Sequence, residues 1–280
     1  TNYRLNLGNP IKAVADGLNA LKQEAALRGA ELEIVGSCST GYGEELIKAA
    51  FGLDSGIIET MAHERAAASL MPDVSFILDI GGQDMKAIFV EKGAVVRMEL
   101  NEACSSGCGT FIQTFANNMG YSVGDFAQLA CQSKAPCDLG TRCTVFMNSA
   151  VKQSQKDGAT VADISAGLSV SVVKNAVYKV IRANSARDLG ASIVVQGGTF
   201  LNDAVLRAFE NELGAHVVRP SIAGVMGAYG AALYAMRFDK SALLDADALE
   251  HFTHTSKTAV CNGCQNHCRL TVNSFGDGEK

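Results

Sequence analysis

The segment Ser75–Asn101, SFILDIGGQDMKAIFVEKGAVVRMELN, constrains the fold of this chain more than any other segment. Its apolar runs predict three strands, of which the first two are separated by a glycine turn at Gly81–Gly82. Asp79 ends the first strand, and the polar residues Gln83 and Asp84 follow the glycines. Glycines let backbone N–H groups approach an anion, and a carboxylate can hold a divalent cation through water. The turn therefore predicts a site for phosphate and a metal ion.

Two cysteines follow this turn at the predicted starts of helices. Cys104 lies in NEACSSGCGT, and Cys143 lies in GTRCTVF. The positive end of a helix dipole favours the thiolate, and thiolates are the usual ligands of iron–sulfur clusters. The alternative is a purely structural role, in which both cysteines are small buried hydrophobic residues. A phosphate loop followed by two such thiols predicts nucleotide hydrolysis coupled to metal or redox chemistry.

Length and composition narrow the class of protein. The chain has 280 residues, enough for two lobes with cores of their own. Its net charge of −5 gives no electrostatic indication of binding to nucleic acid. We find no apolar run that approaches the roughly 20 residues of a membrane span, and no signal peptide. Nine cysteines, an odd number, are interpreted as free thiols or metal ligands rather than as a disulfide framework. These features predict a cytoplasmic protein that binds neither membrane nor nucleic acid.

The remaining periodicity predicts alternating helices and strands on both sides of this segment. Before it, we expect helices at 10–28, 44–51 and 63–70, and strands at 31–37 and 55–59. After it, residues 104–190 are predicted to be mainly helical, with breaks near 133–140 and 157–158. The segment 192–220 predicts a strand, a Gly197–Gly198 turn, a helix and a second strand. The helix 221–237 carries small residues on one face, which allows close packing.

This order of elements is that of one lobe of an actin-like α/β ATPase fold. The segment 31–59 supplies part of a second lobe, whose own three-stranded meander would have to precede Thr1, so we expect that lobe to be truncated at its N-terminus. We therefore divide the chain into a truncated first lobe (1–74), a second lobe with a helical, cysteine-bearing insertion (75–220), a C-terminal helix that returns toward the first lobe (221–238), and a linker with a cysteine-rich tail (239–280).

Five motifs together resemble one protein family. They are LDIGGQD (78–84), NEACSSGCG (101–109), RCTVF (142–146), VVQGGTFLN (194–202) and GAYGAALYA (227–235). In this combination and order they resemble the activators of 2-hydroxyacyl-CoA dehydratases and the ATPase subunits of benzoyl-CoA reductases. These proteins belong to the sugar kinase, chaperone and actin superfamily, and the resemblance covers roughly residues 8–238.

The resemblance implies specific roles for the matching residues. The family activators are homodimers that share one [4Fe–4S] cluster, to which each subunit gives two cysteines, here Cys104 and Cys143. They hydrolyse ATP to pass one low-potential electron, supplied by a donor such as ferredoxin or flavodoxin, to an iron–sulfur dehydratase or reductase. By the match, Asp79 positions Mg²⁺ and Gln83 orients the attacking water.

The match also implies which residues bind the nucleotide. The residues that contact its phosphates or its adenosine are Asp79, Gly81, Gly82, Gln83, Asp84, Gly197, Gly198 and Asn202.

The chain departs from the family pattern in three respects. The early Asp-x-Gly-Ser/Thr turn of the family does not occur in these 280 residues, so we expect weak nucleotide binding and little hydrolysis. Cys108 stands where the family usually has threonine, which predicts a third thiol near the cluster. The tail motif of Cys261, Cys264 and Cys268 predicts a second metal site, either zinc or a second iron–sulfur cluster, whose fourth ligand is open. The alternative is an unliganded terminus.

Two other functions remain open from the sequence. A small-molecule kinase of the same superfamily would need a catalytic aspartate base and a substrate lobe. A non-catalytic module of a multidomain protein would bind a nucleotide or a metal without turnover. Cys38, Cys131 and Cys137 are interpreted as structural, and no chemistry is assigned to His63 or Glu64.

Overall fold

The computed structural model describes residues 2–102, 107–141, 144–244, 248–249 and 251–276. Its contacts divide the chain into two compact units. Unit 1 comprises Thr1–Ile58 and Tyr234–Lys280, and unit 2 comprises Glu59–Leu233.

The helices and strands are numbered along the chain. The helices are α1 (Pro10–Leu27), α2 (Glu44–Phe51), α3 (Glu59–Leu70), α4 (Gly109–Asn118), α5 (Val123–Cys131), α6 (Thr144–Lys156), α7 (Val161–Asn175), α8 (Asp203–Leu213) and α9 (Met226–Ala235). The strands are β1 (Cys38–Ser39), β2 (Ser55–Gly56), β3 (Phe76–Ile80), β4 (Met85–Glu91), β5 (Ala94–Asn101), β6 (Ile193–Gln196), β7 (His254–Val260) and β8 (Arg269–Phe275).

A four-stranded sheet in the order β5-β4-β3-β6 organises unit 2. β3, β4 and β5 form an antiparallel meander, and β6 pairs with β3 in parallel. The predicted meander is thereby confirmed, as is the prediction that the segments 75–101 and 192–220 share a sheet. Every residue of β3 is buried, which suits a central strand covered on both faces.

The two faces of this sheet carry separate layers of helices. Because side chains alternate along a strand, Phe76, Leu78 and Ile80 pack into the larger core with residues of α4, α5, α7 and α8. Ile77 faces the other way, into a smaller core formed with α3 and α9. Asp79 shares that second face with Ile77, so the strand places its carboxylate on the side of α3.

Close contact between α9 and α3 completes the smaller core. A Cβ atom built on Gly230 would lie 1.8 Å from the carbonyl oxygen of Ala62. Only glycine permits this approach, which confirms that small residues in the predicted helix 221–237 serve packing. The helix itself is shorter than predicted, because a 3₁₀ turn at Ala223–Val225 precedes it.

The prediction that no apolar run is long enough to span a membrane is wrong for one helix. α7 continues through a π-helical segment, Ala176–Ile181, and the 21 residues Val161–Ile181 meet the length and apolarity of a span. Yet 72% of the apolar 18-residue stretch within this helix is buried inside the protein. Its apolarity is therefore explained by its place in the core of unit 2.

Unit 1 differs from the sequence predictions at two places. The predicted strand 31–37 does not form, and in the part of unit 1 before β3 the two-residue strands β1 and β2 pair in parallel. In the segment 31–37, the apolar residues Leu32 and Val35 are exposed. The segment therefore has neither a strand partner nor a buried face. The predicted linker at 239–258 is also partly wrong, because its end forms β7, which pairs with β8 in an antiparallel hairpin.

The core of unit 1 includes apolar residues from the C-terminal part of the chain. Phe51 of α2 is completely buried and stacks on Phe252, with ring centroids 4.8 Å apart. Phe252 in turn stacks on Phe275 at the end of β8. Leu249 joins the same cluster, so apolar residues from distant parts of the sequence form one small core.

Candidate functional site

Two glycine loops meet at one edge of the sheet of unit 2. β3 and β6 are parallel, and Asp79 is the register partner of Gln196. Both strands therefore end at the same edge, where Gly81–Gly82 follows β3 and Gly197–Gly198 follows β6. The hydroxyl of Thr199 donates a hydrogen bond of 2.8 Å to the carbonyl oxygen of Gly81 and joins the two loops. The edge where parallel strands end is where α/β sheets bind ligands.

The orientation of the peptide groups in the first loop suits an anion. The Gly81 carbonyl accepts from Gly109 N at 3.0 Å as well as from Thr199, and the Gly82 carbonyl accepts from Thr110 N at 2.9 Å. All peptide bonds among the described residues are trans, and in a trans peptide the N–H points opposite to its carbonyl. The N–H groups of Gly82 and Gln83 therefore point away from α4. Both residues are exposed, so these N–H groups lie at the surface of unit 2, an orientation that suits contact with an anion.

The second loop depends on the absence of a side chain at Gly197. Its φ angle is +90°, and a Cβ atom there would lie 2.3 Å from the carbonyl oxygen of Ile80. Gly198 differs, because a Cβ atom would meet no heavy atom within 4 Å. The first glycine is thus required by the contact between the strands, whereas the second leaves open space at the surface.

Two buried polar side chains below the loops have unsatisfied atoms. Asn202 caps α8, since its Oδ1 accepts from Ala204 N at 2.9 Å, but its Nδ2 has no hydrogen-bond partner within the described part of the chain. The same holds for Oε1 of Gln196, a residue that is completely buried. Buried polar groups are usually paired. Asn202 Nδ2 as a donor and Gln196 Oε1 as an acceptor are therefore candidates for hydrogen bonds to a ligand beside the glycine loops.

A cluster of charged side chains surrounds Asp79. His63 of α3 lies between Glu59, whose Oε1 is 3.3 Å from Nε2, and Asp79, whose Oδ2 is 3.6 Å from Nδ1. Lys86 of β4 contacts Asp84 and lies 3.2 Å from Glu59 Oε1. The cluster thus links the first glycine loop, through Asp84 and Lys86, to the beginning of α3.

Burial and neighbouring charges shift the protonation of this cluster. Burial raises the pKa of Asp79, against the opposing effect of His63 and Lys86. Burial alone would lower the pKa of His63, but the charge of Asp79 and the contact with Glu59 outweigh it and raise that pKa. The hydrogen bond from His63 is the main reason that the pKa of Glu59 is lowered. A carboxylate whose burial disfavours its charge is suited to a cation that arrives with a ligand.

Sequence reasoning missed most of this cluster. It named Asp79 and Asp84 but assigned no chemistry to His63, and it overlooked Glu59, Lys86 and Gln196. Two signals were present in the sequence. Glu59 and His63 are four residues apart on one helix, which places them on the same face, and Lys86 stands within an otherwise apolar run.

The structure brings the predicted nucleotide residues together. Gly81, Gly82, Gln83 and the loop 197–202 lie at one edge of the sheet, as described above. Cys104 and Cys143 lie outside the described residues. Cys108 is completely buried in the larger core of unit 2.

The other cysteines occupy varied environments. Cys38 and Cys137 are half-buried, whereas Cys131 is exposed at the end of α5. Cys261, Cys264 and Cys268 lie on the loop between β7 and β8, which a hydrogen bond of 2.8 Å from Cys261 N to the Cys268 carbonyl closes. Within the described ranges, no group of three or more His, Cys, Asp or Glu side chains is arranged to hold a metal ion. The second metal site therefore stays a prediction.

Comparison with known proteins agrees with this geometry. The model of the BadF/BadG/BcrA/BcrD ATPase family matches residues 1–235. The chain belongs to this family. Among its relatives, the (R)-2-hydroxyglutaryl-CoA dehydratase activating ATPase of Acidaminococcus fermentans is 33% identical over 199 residues, which are 71% of this chain and 74% of that protein. A benzoyl-CoA reductase component of Thauera aromatica is 27% identical over 251 residues, 87% of this chain and 86% of the relative.

A solved structure gives the same result for the fold. The activator of the 2-hydroxyisocaproyl-CoA dehydratase from Clostridium difficile, with bound ADPNP, aligns with a TM-score of 0.68 and 28% identity. The alignment covers 78% of this chain and 79% of that one. The predicted family and the predicted actin-like ATPase fold are both confirmed.

Proposed function

We propose that the chain binds ATP with Mg²⁺ at the two glycine loops of unit 2 and acts as an ATP-dependent activator. In this function it passes a low-potential electron from a [4Fe–4S] cluster to a partner acyl-CoA dehydratase or reductase. The observation that carries the proposal is the junction of the loops, where Thr199 binds the Gly81 carbonyl. This junction turns the N–H group of Gly82 toward solvent beside a buried carboxylate.

The residues at this edge fit a magnesium nucleotide. The outward N–H groups of Gly82 and Gln83 hold phosphate oxygens, and Asp79 holds the metal through water. Exposed Gln83 orients the attacking water, and the unpaired Nδ2 of Asn202 donates to the adenosine. When bound, Mg²⁺ supplies charge neutralisation for the phosphates. Asp84 is held by Lys86 at the base of the loop, which keeps the turn in the conformation that presents these donors.

Hydrogen bonds from α4 support a mechanical route from the nucleotide to the cluster. Gly109 and Thr110, the first residues of α4, donate backbone hydrogen bonds to the Gly81 and Gly82 carbonyls, and the Thr110 hydroxyl adds a third at 2.6 Å. A phosphate that draws the loop outward therefore pulls directly on the first turn of α4. Cys104 precedes this helix by a few residues in the sequence. Small changes in the surroundings of a cluster change its reduction potential.

Membership of the family supports a proposal for the cluster and the partners. Cys104 and Cys143 provide two thiolates, and two thiolates cannot complete the four-thiolate ligation of a [4Fe–4S] cluster. We therefore propose a homodimer that shares one cluster. Ferredoxin or flavodoxin returns the electron that each turnover passes on, and the activator, its donor and its partner are cytoplasmic.

Substitution of one cysteine tests the redox part of this proposal. In anaerobically prepared protein, Cys104→Ser should abolish the brown colour, the bound iron and the reductive activation of a dehydratase, while nucleotide binding persists. Cys131→Ser removes an exposed thiol of α5 and should retain all four properties. Iron analysis, visible absorption and nucleotide titration measure the outcome. A full complement of iron in Cys104→Ser would show that Cys104 is not a ligand.

A further inference from the structure

A buried relay of hydrogen-bonding side chains leads from α3 to the end of β6. Glu59 Oε1 lies 3.3 Å from His63 Nε2, and His63 Nδ1 lies 2.7 Å from Nε2 of Gln196. His63 and Gln196 are both buried, and 133 residues separate them in the sequence.

The relay fixes which way the Gln196 amide points. When the imidazole is neutral, its proton lies on Nε2, toward Glu59, because an ionised carboxylate only accepts hydrogen bonds. Nδ1 then accepts, and the Gln196 amide donates to it through Nε2. The carbonyl atom Oε1 is consequently turned away from the imidazole, and it finds no hydrogen-bond partner among the described residues. A buried acceptor without a donor is unfavourable and calls for an explanation.

The position of Gln196 supplies that explanation. It is the register partner of Asp79 on the parallel strands β3 and β6, so both side chains lie on the same face of the sheet at its ligand-binding edge. Both also border the imidazole of His63, which lies 3.6 Å from Asp79 Oδ2. Gly197–Gly198 follows directly. An unpaired amide oxygen thus lies beside the carboxylate that would hold Mg²⁺.

We propose that Gln196 is a further residue of the nucleotide site, which accepts through Oε1 a hydrogen bond from water bound to Mg²⁺. His63 and Glu59 are positioning residues that hold the amide in this orientation. Mg²⁺ keeps several of its water molecules in protein sites, and such water is a strong donor for an amide oxygen. This inference rests on the proposed function, because it assumes that a magnesium nucleotide binds at the glycine loops.

The test compares nucleotide affinity with and without the metal ion. ADP is titrated calorimetrically in Mg²⁺ and in EDTA. The readout is the ratio of the dissociation constant in EDTA to the dissociation constant in Mg²⁺. Gln196→Met removes the acceptor at nearly constant volume and should reduce this ratio roughly tenfold, with the value in EDTA unchanged. Ser171→Ala is the matched control, because Ser171 Oγ is another buried unpaired atom but lies on α7, which contributes no residue to the loops.

Three further variants separate the roles within the relay. Gln196→Glu retains an acceptor oxygen and should retain or increase the ratio, and it carries the test if the methionine variant does not fold. His63→Phe releases the amide and should reduce the ratio in part. The double variant His63→Phe/Gln196→Met should have the same ratio as Gln196→Met alone, since the two residues act as one unit.

The outcomes distinguish this inference from the proposed function. An unchanged ratio in folded Gln196→Met overturns the inference and leaves ATP binding intact, and a loss of the ratio in Gln196→Glu overturns it as well. If the unsubstituted chain shows no Mg²⁺-dependent binding of ADP, the proposed function itself is wrong.

Discussion

The two adjacent glycines of the second loop should respond very differently to the same substitution, with a large loss of stability at Gly197 and almost none at Gly198. Gly197→Ala places a methyl group 2.3 Å from the carbonyl oxygen of Ile80 and 2.8 Å from its nitrogen, and both are backbone atoms of β3 that cannot rotate away. The residue also has a φ angle of +90°. Gly198→Ala adds the same methyl group where no heavy atom lies within 4 Å.

The magnitude follows from two separate costs. A residue with a Cβ atom at φ 90° and ψ 157°, a region adopted almost only by glycine, costs roughly 1–3 kcal/mol, and insertion of a methyl group into a filled contact costs about 1–3 kcal/mol. Gly197→Ala should therefore lower the free energy of unfolding by about 2–6 kcal/mol, because β6 must separate from β3. Gly198→Ala should change it by less than about 0.5 kcal/mol, as at an open surface position.

Urea unfolding followed by far-ultraviolet circular dichroism measures both variants, since the chain contains no tryptophan. The midpoint for Gly197→Ala should fall clearly below that of the unsubstituted chain. The reasoning is refuted if Gly197→Ala unfolds within error of the unsubstituted chain, or if both alanine variants are equally destabilised. Under the proposed function, Gly198→Ala should nevertheless weaken nucleotide binding, because its methyl group occupies the exposed face of the loop.

The remaining predictions concern packing and pH. Gly230→Ala should destabilise unit 2 by several kcal/mol, since a Cβ atom would lie 1.8 Å from Ala62 O, whereas Gly17→Ala in open space on α1 should stabilise by about 0.5–1 kcal/mol; thermal melts of the two variants should shift in opposite directions. Asp54 is partly desolvated, which would raise its pKa, but hydrogen bonds from Ser241 and others lower the pKa from 3.8 to about 2. Its stabilising effect should therefore be complete above about pH 4 and be lost as the pH falls toward 2, and Asp54→Asn should flatten the acid limb of a pH–stability curve; an unchanged limb would contradict this assignment.

Local features of the sequence determined much of unit 2. The alternation and turn chemistry of residues 75–101 specify a three-stranded meander, because strand period and glycine turns depend on neighbouring residues. The Gly197–Gly198 turn between a buried strand and a helix is encoded in the same local way. These motifs also sufficed to recognise the family and its fold.

Other features depended on contacts between distant residues. Residues 31–37 have the composition of a strand, but a strand forms only with a ladder partner, and composition does not report whether one is present. The length and apolarity of α7 fit a membrane span as well as a core, and only its burial decides between them. Residues 239–258 likewise have the polar composition of a linker, and only the packing of Phe252 against Phe51 shows that this segment contributes to a core.

The charged cluster around Asp79 illustrates the same limit at the candidate site. The sequence shows a histidine on a helix, a lysine in a strand and a glutamine before two glycines, each of which has an ordinary structural interpretation. The sheet register sets Asp79 beside Gln196, and the packing of α3 on that face brings His63 to both. Hydrogen bonds act over about 3 Å, so the chemistry of these side chains was decided by tertiary structure, whereas the glycine loops beside them were legible in the sequence.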